Sequence, residues 1–224
     1  ELSRELIDEL KSSPSKEEQD NLLSDIDANL EKIHYHGKRA DSIVKGMLQH
    51  SRSSSGQKED TDINVLAEEY LRLSYHGLRA KEKSFNASFH TELDPMLGPV
   101  SIIPQDLGRV IMNLLTNAFY AVKEKKEQQP DGYEPTVWLK TIKKENEVLI
   151  SIKDNGNGIP AEIIEKIFQP FFTTKPTGQG TGLGLSMSYD IVQKGHGGSL
   201  SVASTPGKET IFTIVLPLNK QATS

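Results

Sequence analysis

Apolar residues in the first quarter of the chain repeat with the spacing of packed helices. From Ile26 to Met47 they follow one another at alternating steps of four and three residues. This heptad spacing forms one apolar stripe, which packs helices side by side. A shorter apolar series begins at Leu2 and is broken by the Ser-rich segment around Pro14. The pattern predicts a helical hairpin whose first helix is cut short.

After a Ser-rich stretch at residues 51–56, which is typical of a linker, helical and strand-like patterns alternate. Asp62 is suited to cap a helix that runs through Leu78, and Pro104 opens a helix that runs into Val122. The alternation predicts an α/β fold, a two-layer sandwich of a mixed β-sheet and helices. The other predicted elements are strands at 85–93, 136–143, 147–152, 200–203 and 210–216, and helices at 161–168 and 182–194.

Charge and composition narrow the classes of function. The net charge of −5 gives no reason to expect nucleic-acid binding, because DNA-binding domains normally carry a basic face. The absence of cysteine excludes disulfides and thiolate metal sites. The chain has no apolar run of membrane-spanning length and no signal peptide, and it begins with Glu1. We therefore expect a cytoplasmic fragment of a longer protein, with no membrane contact of its own; membrane attachment of the parent is left open.

Two asparagines, Asn113 and Asn117, lie four residues apart and so share one face of a predicted helix. Their neutral amide oxygens suit a Mg²⁺ ion already held by phosphate, because Mg²⁺ prefers hard oxygen ligands and takes part of its shell from substrate. Solvent-facing or capping asparagines would show the same spacing. The pair is therefore a candidate metal site only in combination with other motifs.

A predicted strand leads into Asp154, and a turn containing Gly156 and Gly158 follows it. A buried carboxylate can accept a hydrogen bond from the exocyclic amine of adenine, a donor that guanine lacks at that position. Glycines let the backbone approach a flat base closely. The alternative is an ordinary turn rich in Asp, Asn and Gly.

Three phenylalanines, at positions 168, 171 and 172, precede Thr174, Lys175 and a Gly/Pro-rich stretch. Loops of this kind often serve as lids, and a lysine could meet a terminal phosphate as a point charge. The alternatives are a set of core aromatic residues and a solvated surface lysine.

Residues 180–186 (GTGLGLS) open the last predicted helix. Backbone N–H groups at a helix N-terminus bind phosphate directly, aided by the helix dipole. The segment lacks the third glycine of the dinucleotide-binding fingerprint and the Gly-Lys-Ser/Thr ending of a Walker A motif. It therefore predicts that the backbone N–H groups at this helix N-terminus contact phosphate, without either of those two motifs.

In this order the four clusters resemble the N, G1, F and G2 boxes of the sensor histidine kinases of two-component systems, which have the Bergerat ATP-binding fold. The resemblance covers roughly residues 63–218 and implies ATP and Mg²⁺ as cofactors, with ATP between the sheet and a flexible lid. It implies that Asp154 binds the adenine amine, that Asn113 and Asn117 hold Mg²⁺ and act in catalysis with Lys175, and that Thr210 supports the adenine site. The residues implied to bind nucleotide are Asn113, Asn117, Tyr120, Lys123, Asp154, Gly156, Gly158, Ile159, Phe168, Thr174, Lys175, Gly180, Thr181, Gly182, Leu183, Gly184, Leu185 and Thr210.

The resemblance also divides the chain into a truncated helical dimerisation and phosphotransfer remnant at 1–56, a linker at 57–62 and a catalytic ATP-binding domain at 63–220. Two positions depart from the family pattern. Many members have lysine where this chain has Tyr120, so that Lys123 or Lys175 would substitute as the phosphate contact. Glu209 stands where glycine is more usual.

Several activities remain open for this architecture. A histidine kinase transfers the ATP γ-phosphate to a histidine of its dimerisation domain for relay to a response-regulator aspartate. The ATPases of the superfamily have a catalytic glutamate where this chain has Asn113, and an amide cannot act as a general base. A serine kinase of the same superfamily is disfavoured by the N-terminal helix, which resembles part of a dimerisation domain. The remaining alternative is a nucleotide-binding module without activity.

The acceptor histidine of this family is followed by an acidic residue, and no histidine of this chain is. We therefore expect the chain to bind ATP but not to autophosphorylate. The resemblance implies that the intact parent forms a homodimer and passes its phosphoryl group to a receiver domain. The six histidines are His34, His36, His50, His76, His90 and His196.

Overall fold

The structure is a computed structural model that describes residues 2–12, 15–51, 56–129, 131–176 and 180–218. The chain divides into two compact units. The helical unit contains residues 1–53 together with 173–181, and the sheet unit contains residues 54–172 and 182–224. None of the described helices combines the length and the hydropathy that a membrane crossing requires.

The helical unit contains the predicted hairpin, formed by α1 (Leu2–Ser12) and α2 (Lys16–Ser51). Ser15 precedes α2, and its hydroxyl oxygen accepts the Glu18 N–H at 3.2 Å. Leu30 and Ile33 of the predicted apolar stripe are both more than half exposed. The later stripe positions, from residue 40 on, lie outside the described side chains.

The sheet unit contains a five-stranded mixed sheet and a small two-stranded one. Its strands are β1 (Glu59–Asp62), β2 (Ser88–Glu92), β3 (Pro99–Ile102), β4 (Thr136–Lys143), β5 (Glu147–Asp154), β6 (Ser199–Thr205) and β7 (Glu209–Pro217). The large sheet has the order β2–β4–β5–β7–β6, with β2 and β4 parallel and the other neighbours antiparallel. Strands β1 and β3 pair antiparallel.

Helices cover one face of the large sheet. They are α3 (Ile63–Lys81), α4 (Pro104–Gln128) and α6 (Gly184–Asp190), which continues as a π-helical turn (Ile191–Gly195). A short helix, α5 (Ala161–Ile164), follows β5 and has no buried residue. Every second residue of β5 and of β7 is buried, as expected for strands that pack on one face. Helix α4 contacts α3, α6, β4 and β5. The predicted two-layer α/β sandwich with a preceding helical hairpin is confirmed.

Local signals explain where the two long helices of this unit begin. The Asp62 carboxylate accepts the N–H groups of Asn64 and Val65 at 2.9 and 3.1 Å, so the predicted N-cap of α3 is confirmed. Pro104 opens α4, where the missing N–H costs nothing. One face of α4 is fully buried through Leu107, Ile111, Leu114, Leu115 and Phe119.

The element boundaries differ from the sequence prediction at several points. Residues 59–62, predicted to be linker, form β1, and β3 was not predicted at all. Both strands have only four residues, and the sequence of β1 is EDTD, which has no apolar alternation. The helix predicted at 161–168 ends at Ile164, and the one predicted at 182–194 is α6 followed by the π-helical turn.

His196 connects the end of this π-helical turn to the start of α4. It is buried, its Nε2 accepts the Ile103 N–H at 3.0 Å, and its Nδ1 lies 3.0 Å from the Ile191 carbonyl oxygen. With the ring proton on Nδ1, both ring nitrogens are satisfied. This histidine therefore has a structural role, joining the π-helical turn to the start of α4.

Candidate functional site

Asp154 is the last residue of β5 and points to the side of the sheet that the helices cover. Its side chain is 3% exposed. It faces Val137 of β4 and Thr210 of β7 across the sheet. Its Oδ1 accepts the Gly156 N–H at 2.9 Å. The predicted adenine-reading carboxylate is thus a buried group at the end of a central strand.

Burial raises the pKa of Asp154 from its ordinary value to about 7. The hydrogen bond from Gly156 and the positive charge of Lys125 act in the opposite direction, whereas Glu209 raises the pKa further. The carboxyl group is therefore poised to change its ionisation near neutral pH. A group with such a perturbed pKa at the end of a strand is a candidate for function.

The turn after Asp154 fits closely against α4. A Cβ atom at Gly156 would lie 2.7 Å from Ala121 Cβ and 2.8 Å from Asp154 Oδ1, so only glycine fits there. The turn is also fastened to the β6–β7 hairpin, because the Gly207 N–H donates to the Asn157 carbonyl at 2.6 Å and the Ile159 N–H donates to Ser204 Oγ at 2.8 Å. The predicted glycine turn therefore has a fixed shape.

Thr210, predicted to support the adenine site, lies beside this turn. It is buried, it is the cross-strand partner of Asp154, and its Oγ1 lies 3.1 Å from Ser204 Oγ. Ser204 in turn donates to the Glu209 carbonyl at 2.8 Å. The two predicted adenine residues are thus brought together in adjacent strands.

Asn113 of α4 lies against the start of α6. Its Nδ2 donates to Ser188 Oγ at 3.0 Å, and Ser188 donates to the Gly184 carbonyl at 2.9 Å. A Cβ atom at Gly184 would collide with Oδ1 of Asn113. Glycine at position 184 is therefore required by the close approach of the two helices, and the first and fourth predicted clusters meet here.

Three further predicted residues of α4 lie on the same helix face as Asn113. Asn117 and Tyr120 are half-buried, and burial raises the pKa of Tyr120. Lys123, expected as a substitute phosphate contact, instead forms ion pairs with Glu82 at 2.7 Å and with Glu127 at 3.5 Å. The hydrogen bond that Lys123 donates to Glu82 is the main reason why the pKa of Lys123 is raised. To contact a phosphate, Lys123 would have to give up these partners.

The apolar residues predicted to bind nucleotide are packed in the protein. Phe168 packs against Tyr189, with ring centroids 5.4 Å apart, and against Phe212 at 6.5 Å. Leu183 is buried, and Leu185 and Ile159 are partly buried against the core. Phe168 therefore has a clear packing role, which was the alternative explanation of the aromatic cluster.

The remaining predicted residues, Thr174, Lys175, Gly180 and Thr181, lie in the segment 173–181, which belongs to the helical unit. Within that segment the Lys175 N–H donates to Thr173 Oγ1 at 3.2 Å. Residues 177–179 of the predicted lid lie outside the described residues. The lid role and the phosphate contact of Lys175 stay predictions.

Sequence reasoning missed two buried polar residues at this site. Ser188, four residues after Gly184, orients the Asn113 amide. Lys125 donates to the carbonyls of Asn155, Gly156 and Gly207. Lys125 lies three residues after the apolar Val122 and so shares its helix face, but the charged residues on both sides of Lys125 are typical of an exposed helix end.

Comparison with known proteins identifies the family of this chain. Residues 102–220 match the family model described as histidine kinase-, DNA gyrase B- and HSP90-like ATPase. The chain is 36% identical over 188 residues to the signal transduction histidine-protein kinase AtoS of Escherichia coli, which covers 82% of this chain and 28% of AtoS. It is 35% identical over 195 residues to the sensor kinase CckA of Brucella abortus, covering 83% of this chain and 20% of CckA. The chain thus spans less than a third of the length of either relative.

Among solved structures, the nucleotide-free catalytic domain of histidine kinase ThkA is similar, with a TM-score of 0.60 and 29% identity. The similarity covers 72% of this chain and 96% of the ThkA chain. Residues 102–220, which the family model matches, include the strand that ends at Asp154 and the helices that carry Asn113 and Gly184. The chain therefore belongs to the histidine kinase-, DNA gyrase B- and HSP90-like ATPase family, and within it to the ATP-binding catalytic domains of the sensor histidine kinases.

Proposed function

We propose that the sheet unit holds ATP with its adenine at Asp154 and its phosphates near Asn113 and Gly184, and that the intact parent transfers the γ-phosphate to a histidine of its dimerisation domain. The observation that supports this most strongly is that residues of three separate sequence clusters lie in one compact unit, two of them in direct contact. Asp154 is buried at the end of β5, and Asn113 lies against the start of α6. In phosphoryl transfer, such positioning and the neutralisation of charge supply most of the catalysis.

The amide oxygens near Asn113 are suitable ligands for a Mg²⁺ ion. Because Ser188 Oγ accepts from the amide nitrogen of Asn113, the amide oxygen is turned toward Gly184 instead. Amide oxygens together with phosphate oxygens are ligands that Mg²⁺ prefers. We propose that Asn113 and Asn117 hold this ion with the ATP phosphates, where it would neutralise charge during transfer. Gly182, Leu183 and Gly184 would border the phosphates, and the phosphate contacts expected of Thr174, Lys175, Gly180 and Thr181 stay predictions.

The test of this proposal is a calorimetric titration of the chain with ATP and with GTP in the presence of Mg²⁺. We expect ATP to bind at least about a hundredfold more tightly, because guanine would place a carbonyl oxygen opposite the Asp154 carboxylate. ADP and GDP, titrated in the same way, control for the phosphates and should show the same preference for adenine. Equal affinity for the two bases, or no binding of either, would refute the proposed pocket.

A second prediction concerns the histidine that accepts the phosphoryl group. Incubated with γ-labelled ATP, the chain is expected to gain no acid-labile label, because none of its histidines is followed by an acidic residue and His196 is buried with both ring nitrogens engaged. A full-length sensor kinase treated in parallel shows that the assay detects phosphohistidine. Stable acid-labile labelling of this chain would contradict the assignment of the acceptor to another part of the parent.

The alternative of a water-activating ATPase is not favoured. Asn113 stands where those enzymes have a glutamate, and its amide is engaged by Ser188. An amide has no basic group to take a proton from water. For the parent we further propose a cytoplasmic kinase region, a homodimer built by its helical domain, and a receiver domain of a response regulator as the partner that accepts the phosphoryl group.

A further inference from the structure

Lys125 is a buried cation near the end of α4. It is 9% exposed, and its Nζ donates to the carbonyl oxygens of Asn155 at 2.9 Å, Gly156 at 3.1 Å and Gly207 at 2.9 Å. An ammonium group has three N–H donors, so its hydrogen-bonding capacity is filled. Its Nζ also lies 4.9 Å from the centroid of the Tyr133 ring. Burying a charge is costly, so a residue that serves packing alone would not need one here.

The three carbonyls belong to two different turns. Asn155 and Gly156 form the turn after Asp154, and Gly207 lies in the hairpin between β6 and β7. Gly156 is bonded at both of its backbone polar groups, because its N–H donates to Asp154 Oδ1 and its carbonyl accepts from Lys125. A single backbone residue therefore links the buried ammonium group to the buried carboxylate.

The charges around Asp154 act in opposite directions. Lys125 of α4 lowers the pKa of Asp154, whereas Glu209 of β7 raises it. Glu209 is itself paired with Lys153 of β5 at 2.6 Å. Tyr133, which precedes β4, has its pKa raised by burial first and by the charge of Asp154 second, so it stays neutral at ordinary pH. Of these groups, Lys125 is the one whose charge opposes the cost of burying an ionised Asp154.

We propose that Lys125 is a positioning residue of the adenine site: its ammonium group fixes the turn that follows Asp154 and keeps that carboxylate ionised for the amine of adenine. This inference rests on the proposed function, because it assumes that Asp154 is the group that reads the base. Lys125 acts through Asp154 and the turn, with no direct contact to the nucleotide.

The test is the pH dependence of ATP affinity, measured by calorimetry between about pH 6 and about pH 9. The adenine amine needs an ionised acceptor, so affinity falls as pH falls through the pKa of Asp154, which is about 7. In Lys125→Met the opposing charge is gone, the pKa of Asp154 rises, and the midpoint of the affinity profile should move up by about one pH unit or more. At pH 7 a shift of one unit corresponds to about fivefold weaker binding, because the ionised fraction of Asp154 falls from about one half to about one eleventh.

Matched variants separate this role from a purely structural one. Lys126→Met removes the same charge at the next position, where Nζ donates to the Tyr133 carbonyl at 2.8 Å, and it should keep the wild-type midpoint. Lys125→Arg retains the charge and should also keep the midpoint, even if its affinity is lower. Should Lys125→Met fail to fold by circular dichroism, Lys125→Gln takes its place as the neutral variant.

Each outcome has a defined meaning. A raised midpoint in the neutral variant of Lys125, restored by Lys125→Arg and absent in Lys126→Met, supports the inference. A folded neutral variant with the wild-type midpoint, or an equal shift in Lys126→Met, overturns it while the adenine pocket stands. Failure of the wild type to bind ATP at any pH overturns the proposed function itself.

Discussion

Replacement of Asp154 by asparagine is expected to weaken ATP binding by about a hundredfold or more, which corresponds to about 3 kcal/mol. The reason is the orientation of the side chain. Oδ1 of Asp154 already accepts the Gly156 N–H, and an asparagine would keep its own oxygen in that place. Its NH₂ group would then face the amine of adenine, so that two buried donors oppose each other. Calorimetry at about pH 8, where the wild-type carboxylate is mostly ionised, measures the loss.

The control for this variant is Asp190→Asn. Asp190 ends α6 as a partly exposed carboxylate paired with Lys194 at 2.8 Å, so the same chemical change there should alter ATP affinity by no more than about twofold. An Asp154→Asn protein that is folded and binds ATP like the wild type would show that the base is read elsewhere. Loss of affinity in both variants would point to a general effect of charge.

Gly184→Ala is expected to have the second large effect, on both folding and binding. The added methyl group would collide with Oδ1 of Asn113, so α6 or the Asn113 side chain would have to move. Overpacking of this kind costs about 1–3 kcal/mol in the free energy of unfolding. Because the displaced oxygen is the proposed Mg²⁺ ligand, we expect ATP affinity with Mg²⁺ to fall by about tenfold or more. Urea unfolding and calorimetry measure the two effects.

Two other glycines provide matched controls. A Cβ atom at Gly195, in the π-helical turn, or at Gly77, in α3, would meet no atom within 4 Å. Alanine at either position should leave ATP affinity unchanged, and in α3 it should stabilise the helix by about 0.5–1 kcal/mol. If Gly184→Ala matched these controls in both assays, the close approach of α4 and α6 would have no part in the site.

The parts of the fold that could be predicted from the sequence are those whose side chains alternate or carry a local signal. Strands β4 and β5 were predicted to within two residues, because a buried face and an exposed face give a period of two. The start of α3 followed from Asp62. In contrast, β1 is four polar residues whose only reason to be extended is its partner β3, and such a long-range pairing leaves no mark on a short segment.

Residues of the candidate site could be proposed from the sequence where the order of the motifs indicates them, and not where the role of a residue depends on a distant neighbour. Asp154, Asn113 and Gly184 were found from the order of the motifs, and the structure places them in one unit. Lys125 stands in a run of five charged residues from 123 to 127, where its composition is that of an exposed helix end. Only the carbonyls of two distant turns make it a buried residue. Ser188 is likewise explained by its partner, Asn113.

Helix α4 sets the distance between two parts of the candidate site. Asn113 and Lys125 are separated by twelve positions, or about 18 Å along the axis of a regular helix. The first contacts the start of α6, and the second contacts the turns beside Asp154. One inserted residue between them would turn one contact by about 100° relative to the other, because each residue of an α-helix rotates by that angle. We therefore expect changes in the connections on either side of α4 to leave the two contacts in place, and a change in the number of residues between Asn113 and Lys125 to break one of them.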